Sequence, residues 1–147
     1  MFMNIWIRSG IPCVCLFITY SMAKEDVRYK RISLFKLLVF LIIGLIQMVC
    51  SYKNGLFFAV MSLIPGILFL IVSIMTKEKL GFGDALCVLG LGMCMGYRFA
   101  MFSVELGLLL AFLWGVIFQI RKQKYEDIPY IPFLLSGMVI SFGVIEI

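Results

Sequence analysis

An all-α bundle of six transmembrane helices with both termini outside is the fold class this sequence predicts, on three observations. The chain is 63% hydrophobic and only 14% charged, whereas soluble domains run about 45–50% apolar and about 25% charged. Its apolar residues gather into six runs separated by short charged clusters. Those clusters are alternately rich and poor in Lys and Arg, as expected of loops on two sides of a bilayer. A span uses roughly 20 apolar residues, so six use about 120 of the 147. Nothing is left for a soluble domain. Residues 1–147 are read as one transmembrane domain.

The runs fall at 5–23, 34–50, 55–75, 84–97, 99–120 and 129–147. The first resembles a signal peptide, but Arg8 is its only early positive charge and Met22-Ala23-Lys24 is a poor cleavage site. It is read as a span. The third run carries no charge and one internal proline, Pro65, a candidate kink. The fourth is short and holds Gly90, Gly92 and Gly96, which suits close approach to neighbouring helices. Sorting basic residues by loop sets the orientation. Lys24, Arg28, Lys30, Arg31, Lys36, Lys77, Lys79, Arg121, Lys122 and Lys124 fall on one side, and only Arg8, Lys53 and Arg98 on the other. The positive-inside rule places the ten in the cytoplasm. The net charge of +5 then reflects topology and contact with anionic membrane lipids. Nucleic acid is not an expected partner, because the cations are split among three short loops.

The chain contains no histidine. Ser-His-Asp and Cys-His catalysis both need an imidazole to take the proton, and the H-E-x-x-H zinc pattern needs two. Cys13, Cys15, Cys50, Cys87 and Cys94 form no pair of C-x-x-C motifs, so no metal site is expected. All five sit in apolar runs and read as small buried hydrophobes. Any catalysis therefore runs on carboxylates, lysine or hydroxyls.

Eight acids remain to be weighed. Glu25, Glu78, Glu126 and Asp127 lie among Lys and Arg, where a solvated charge mixture explains them. Glu146 sits at the terminus. Glu105 lies about two turns into the fifth run, near enough to Arg98 for a structural role at the outer interface. Asp26 and Asp84 differ. Asp26 follows the first run in Asp26-Val27-Arg28-Tyr29-Lys30-Arg31-Ile32-Ser33, and Asp84 opens the fourth in Gly81-Phe82-Gly83-Asp84. Both fall at the cytoplasmic membrane boundary. Taken singly, Asp84 reads as a helix N-cap and Asp26 as a loop carboxylate paired with Arg28 or Lys30. Brought together in a partly dehydrated site, they form a proton-sharing pair. The ionised member draws a proton from water and the protonated one supports the oxyanion of a peptide carbonyl. Gly81 and Gly83 let backbone pack closely beside such a carboxylate.

Asp26-Val27-Arg28 with Ile32-Ser33, then Gly81-Phe82-Gly83-Asp84, then Ile128-Pro129-Tyr130-Ile131-Pro132-Phe133 with Gly137 closely resemble the signatures of the type IV prepilin peptidases, intramembrane aspartic proteases of the GxGD type. The resemblance covers about residues 10–140. It implies cleavage of the basic leader from prepilins or pilin-like proteins at the cytoplasmic face of the bacterial membrane. It also implies Asp26 and Asp84 as the catalytic pair, with Gly81, Gly83, Arg28, Pro129 and Pro132 shaping the site. Long forms of the family add a zinc-binding region and methylate the new N-terminus. This chain resembles the short peptidase-only forms, for which no cofactor is expected. Two positions depart from the family pattern: Leu86 stands where Lys is frequent, and Leu34 where Asn is frequent. The alternatives are a presenilin or signal-peptide-peptidase-like GxGD protease, and a non-enzymatic scaffold or transporter. The first typically has Tyr before its first aspartate, where Glu25 stands here. A transporter would show inverted repeats and a polar midplane site.

Overall fold

The computed structural model of the chain describes residues 10–29, 32–51, 56–75, 81–120 and 129–145. Arg8, Lys30, Arg31, Lys53, Lys77, Glu78, Lys79, Arg121, Lys122, Lys124, Glu126, Asp127, Ile128 and Glu146, and with them most of the charge ledger that orients the chain, lie outside the described residues. Among those described, the fold is all-α, with no strand and six helices: α1 (Ile11–Tyr29), α2 (Leu34–Ser51), α3 (Leu56–Met75), α4 (Phe82–Met95), α5 (Tyr97–Ile120) and α6 (Ile131–Ile145).

Each helix overlies one apolar run, and the differences at their ends are informative. α1 continues to Tyr29 rather than stopping near 23. Its buried residues are Pro12, Cys15, Thr19, Met22, Ala23 and Asp26, spaced three and four apart along one face. The charged residues 24–29 thus extend the helix by another turn, and Asp26 prolongs its inward stripe. Asp26 is a helical residue and not a loop carboxylate. α3 runs through Pro65 without interruption. Between α4 and α5 the chain turns at Gly96, whose φ of 82° is open to glycine and strained for other residues.

α4 is the hub. It packs extensively on α3 and α2 and more lightly on α5 and α1, while α6 joins α5 to α1. Close approach is built from glycine. A Cβ on Gly92 would collide with the Ser62 carbonyl oxygen and one on Gly66 with the Leu89 backbone, so α3 and α4 touch main chain to main chain. The core formed around this contact includes Cys15, Met22, Phe40, Val88, Leu91, Leu134 and Met138. Four of the buried hydroxyls have identified partners. Thr19 Oγ1 donates to the Cys15 carbonyl (2.8 Å), Ser62 Oγ to Ala59 (2.7 Å), Ser141 Oγ to Gly137 (2.7 Å) and Ser103 Oγ to Ser141 Oγ across α5 and α6 (3.0 Å).

Outside this core the surface is strongly apolar. Phe17, Leu34, Phe35, Met75 and Phe112 are each at least 70% exposed. α5 is long and apolar enough to cross a membrane, with 24 residues and a mean hydropathy of 2.1, and only 17% of its apolar window is buried. The other apolar helices are shorter.

Candidate active site

Asp26 and Asp84 lie at the same end of the bundle, delivered by different helices. On α1 the inward stripe ends at Asp26, which is 8% exposed. On α4 the first turn is set by Gly81, whose carbonyl accepts from the Asp84 N–H at 3.0 Å and from the Ala85 N–H at 3.3 Å. Gly81 is the N-cap and no side chain caps the helix. The capping explanation of Asp84 therefore falls, because its carboxylate stands inside the first turn and is not spent on the helix end. Asp84 lies four and seven residues before Val88 and Leu91, both fully buried, which directs it toward the interior.

The two carboxylates lie within each other's electrostatic reach, with the Asp26 charge acting on Asp84. Cys87, one turn after Asp84 and fully buried, feels both. Burial pushes the Asp26 carboxyl above its ordinary value, and the backbone N–H of Ile131 works the other way by favouring the charged form. Asp26 Oδ2 is buried and has no hydrogen-bond partner among the described residues. A buried, unpartnered carboxylate oxygen is costly, and Glu25 Oε2, one residue earlier, is in the same condition among the described residues. Arg28 is exposed, with its guanidinium 5.6 Å from the Tyr29 ring centroid. It is not Asp26's partner.

The third motif joins the same place. Ile131 opens α6 beside Asp26, and the buried Tyr130 lies within electrostatic reach of Asp84. Tyr130 is held by its own contacts: its hydroxyl donates to the Val104 carbonyl at 3.4 Å and its ring stacks on Phe69 at 5.6 Å. Pro129 and Pro132 flank these residues, with Pro132 in the first turn of α6, where a missing N–H costs nothing. Gly83 lies tightly against the end of the Ile32 side chain. A Cβ there would lie 2.7 Å from Ile32 Cδ1, so the segment after α1 packs directly onto the first turn of α4.

Two contributors were not visible in the sequence. In the sequence Tyr130 stands between Pro129 and Pro132 with no role of its own. Lys36, in the first turn of α2, reaches back to α1 and donates to Ser21 Oγ (2.5 Å) and to Glu25 Oε1 (2.6 Å). That ammonium holds the Glu25 carboxyl below its usual value and ties α2 to the turn of α1 that carries Asp26. Glu25 is therefore not simply a solvated loop charge. Glu105, in contrast, is exposed on α5. No group of three or more His, Cys, Asp or Glu side chains able to hold a metal occurs among the described residues. The arrangement offers two interacting carboxylates, one of them partly open, beside an aromatic hydroxyl and a helix N-terminus.

No family model matches the chain, and neither a curated protein nor a solved structure does.

Proposed function

We propose that the chain is a six-span intramembrane aspartic endopeptidase that removes the basic leader from prepilins or pilin-like proteins at the cytoplasmic membrane face. The observation that carries this reading is that Asp26 of α1 and Asp84 of α4 lie within electrostatic reach, with an Asp26 oxygen buried and unpartnered among the described residues. Two such carboxylates near one another do not both ionise cheaply, so they hold one proton between them. The ionised member takes a proton from water as the water oxygen bonds to the scissile carbonyl carbon. The protonated member donates to the carbonyl oxygen as negative charge builds there. Collapse of the tetrahedral adduct breaks the C–N bond, and the proton gained by the base goes to the departing amine. Neither histidine nor metal is needed.

Residence in the membrane is supported by the apolar surface and by α5. Its 24 residues at about 1.5 Å each span about 36 Å, beyond the roughly 30 Å hydrocarbon core. α4 has only 14 residues, about 21 Å, so its Asp84 end would lie near a thinned, water-accessible boundary. Transport is less well supported, because the buried hydroxyls of Thr19, Ser62, Ser103 and Ser141 are engaged with helix carbonyls or one another.

The test is reconstitution of the full chain in vesicles with a pilin-like protein encoded by the same organism, followed by N-terminal sequencing of the product. Release of the basic leader ahead of the apolar segment is expected. A cut within the substrate's apolar segment would favour the presenilin-like reading, and no cut in any membrane substrate would favour a scaffold.

A further inference from the structure

Beside the carboxylates, on the outer surface of α1 and α2, lies a second polar feature. A cleft of about 320 Å³ is lined by Ser21, Lys24, Glu25, Arg28, Tyr29 and Lys36. That volume lies at the lower end of the range for small-ligand pockets, about 300–1,000 Å³. Three cations face one carboxylate, and the carboxylate is already engaged: Glu25 Oε1 accepts from Lys36 Nζ at 2.6 Å. Lys24 and Arg28 stand four residues apart on one helix face, a spacing at which like charges repel. Among the described residues neither has a carboxylate partner. Lys36 does not swing freely, because Ser21 and Glu25 fix its ammonium at the cleft wall. The Arg28 guanidinium lies near the Tyr29 ring, 5.6 Å from its centroid. The cleft thus holds a surplus of positive charge in a partly pre-organised frame.

The surroundings are apolar. Tyr20 on α1 and Leu34, Phe35 and Leu38 on α2 are all more than half exposed. A soluble anion would gain nothing from that rim, whereas acyl chains would cover it. We propose that this cleft binds the phosphate of an anionic phospholipid headgroup, with Lys24, Arg28 and Lys36 as its donors and the exposed α2 residues against its chains. Basic pockets between helices on the cytoplasmic side suit such headgroups, and that leaflet is rich in them. The inference rests on the membrane reading above but not on the protease chemistry. Its consequence is positional: a bound headgroup would bridge α1 and α2 one turn from Asp26.

The full chain is reconstituted with equal amounts of phosphatidylglycerol and phosphatidylcholine, extracted into neutral detergent, and weighed by native mass spectrometry with its retained lipid. The wild-type chain is expected to retain phosphatidylglycerol several-fold over phosphatidylcholine. Lys24→Gln with Arg28→Gln should bring that preference close to parity, because two near-surface cations are lost. This double variant leaves the Lys36–Glu25 tie intact, so a lost preference does not report a lost fold. Lys77→Gln with Lys79→Gln, in another basic loop, should leave it unchanged. Equal retention of both lipids, or an undiminished preference in the Lys24/Arg28 variant, overturns the site. Displacement of the lipid by inorganic phosphate would assign the cleft to a free anion, and displacement by an acidic peptide to a protein segment; either overturns the lipid assignment. A chain that stays in the aqueous phase without detergent and carries neither lipid overturns the membrane reading itself.

Discussion

Replacing Gly83 by Ala tests how the first and second motifs are joined. An ideal Cβ at this position lies 2.7 Å from Ile32 Cδ1, while Ile32 Cγ1 and Cβ stay at 3.7 and 3.8 Å. The conflict is therefore with one methyl group. Ordinary carbon contacts begin near 3.5 Å, so that methyl or the first turn of α4 must retreat by about 0.8 Å. Cδ1 is the free end of a flexible, half-buried side chain, so turning it aside costs about 1 kcal/mol, and alanine in a helix returns at most about 1 kcal/mol. A net destabilisation of at most about 1 kcal/mol is expected. Catalysis should suffer more, because a preorganised site tolerates only about 0.5 Å and a displacement near 1 Å can cost about a hundredfold in rate. Ile32→Val deletes the Cδ1 methyl and little else, so it should restore most of both losses in the double variant. The assay is a four-member cycle of thermal midpoint in detergent and cleavage rate in vesicles, with an expected coupling in stability of up to about 1 kcal/mol. Equal losses from Gly83→Ala with and without the Ile32→Val change, or no loss at all, would refute the contact.

Stability should depend on pH through Asp26, which lies beyond the apolar run 5–23. Burial raises its folded value, so the folded chain binds more protons than the unfolded one. Stability should fall as pH rises from the ordinary Asp value of about 3.9 through the raised folded one; Asp26→Asn should flatten that slope in a thermal-midpoint series, and a slope unchanged by the substitution would contradict it. Glu105→Gln should retain most cleavage, since Glu105 is exposed on α5; loss of activity with normal insertion would give it a catalytic role. Cysteine substituted at position 53 should react with an impermeant thiol reagent in intact cells and at position 30 should not. The opposite pattern would reverse the orientation and remove cytoplasmic cleavage.

The number, order and approximate extent of the helices were legible because apolar runs in this chain are long and broken only by charge. The ends were not. Lys24 to Tyr29 look like a loop by charge alone, yet charged residues are good helix formers and the stripe Pro12, Cys15, Thr19, Met22, Asp26 carries the helix on. That stripe was readable and would have turned Asp26 inward from the sequence. Taken singly, Asp84 reads as a cap because Asp commonly caps, whereas Gly81, earlier in the same turn, fills that role through its backbone. The Lys36–Glu25–Ser21 tie and the Ile32–Gly83 contact were not legible. They join residues on different helices across segments whose path the sequence does not specify, and no periodicity reports such a pairing. Tyr130 was hidden for a related reason: its importance comes from the neighbours that α3, α4 and α5 supply.

The central claim is that Asp26 and Asp84 act as one catalytic unit. Its most direct measurement is the rate of leader cleavage by reconstituted Asp26→Asn, Asp84→Asn and the double variant, with insertion and thermal midpoint checked for each. Groups that share a proton lose their function together, so removing both should cost no more than removing either. The account predicts three proteins that insert, fold and cleave at the same background rate. Normal cleavage by Asp84→Asn, or losses that multiply in the double variant, would contradict it.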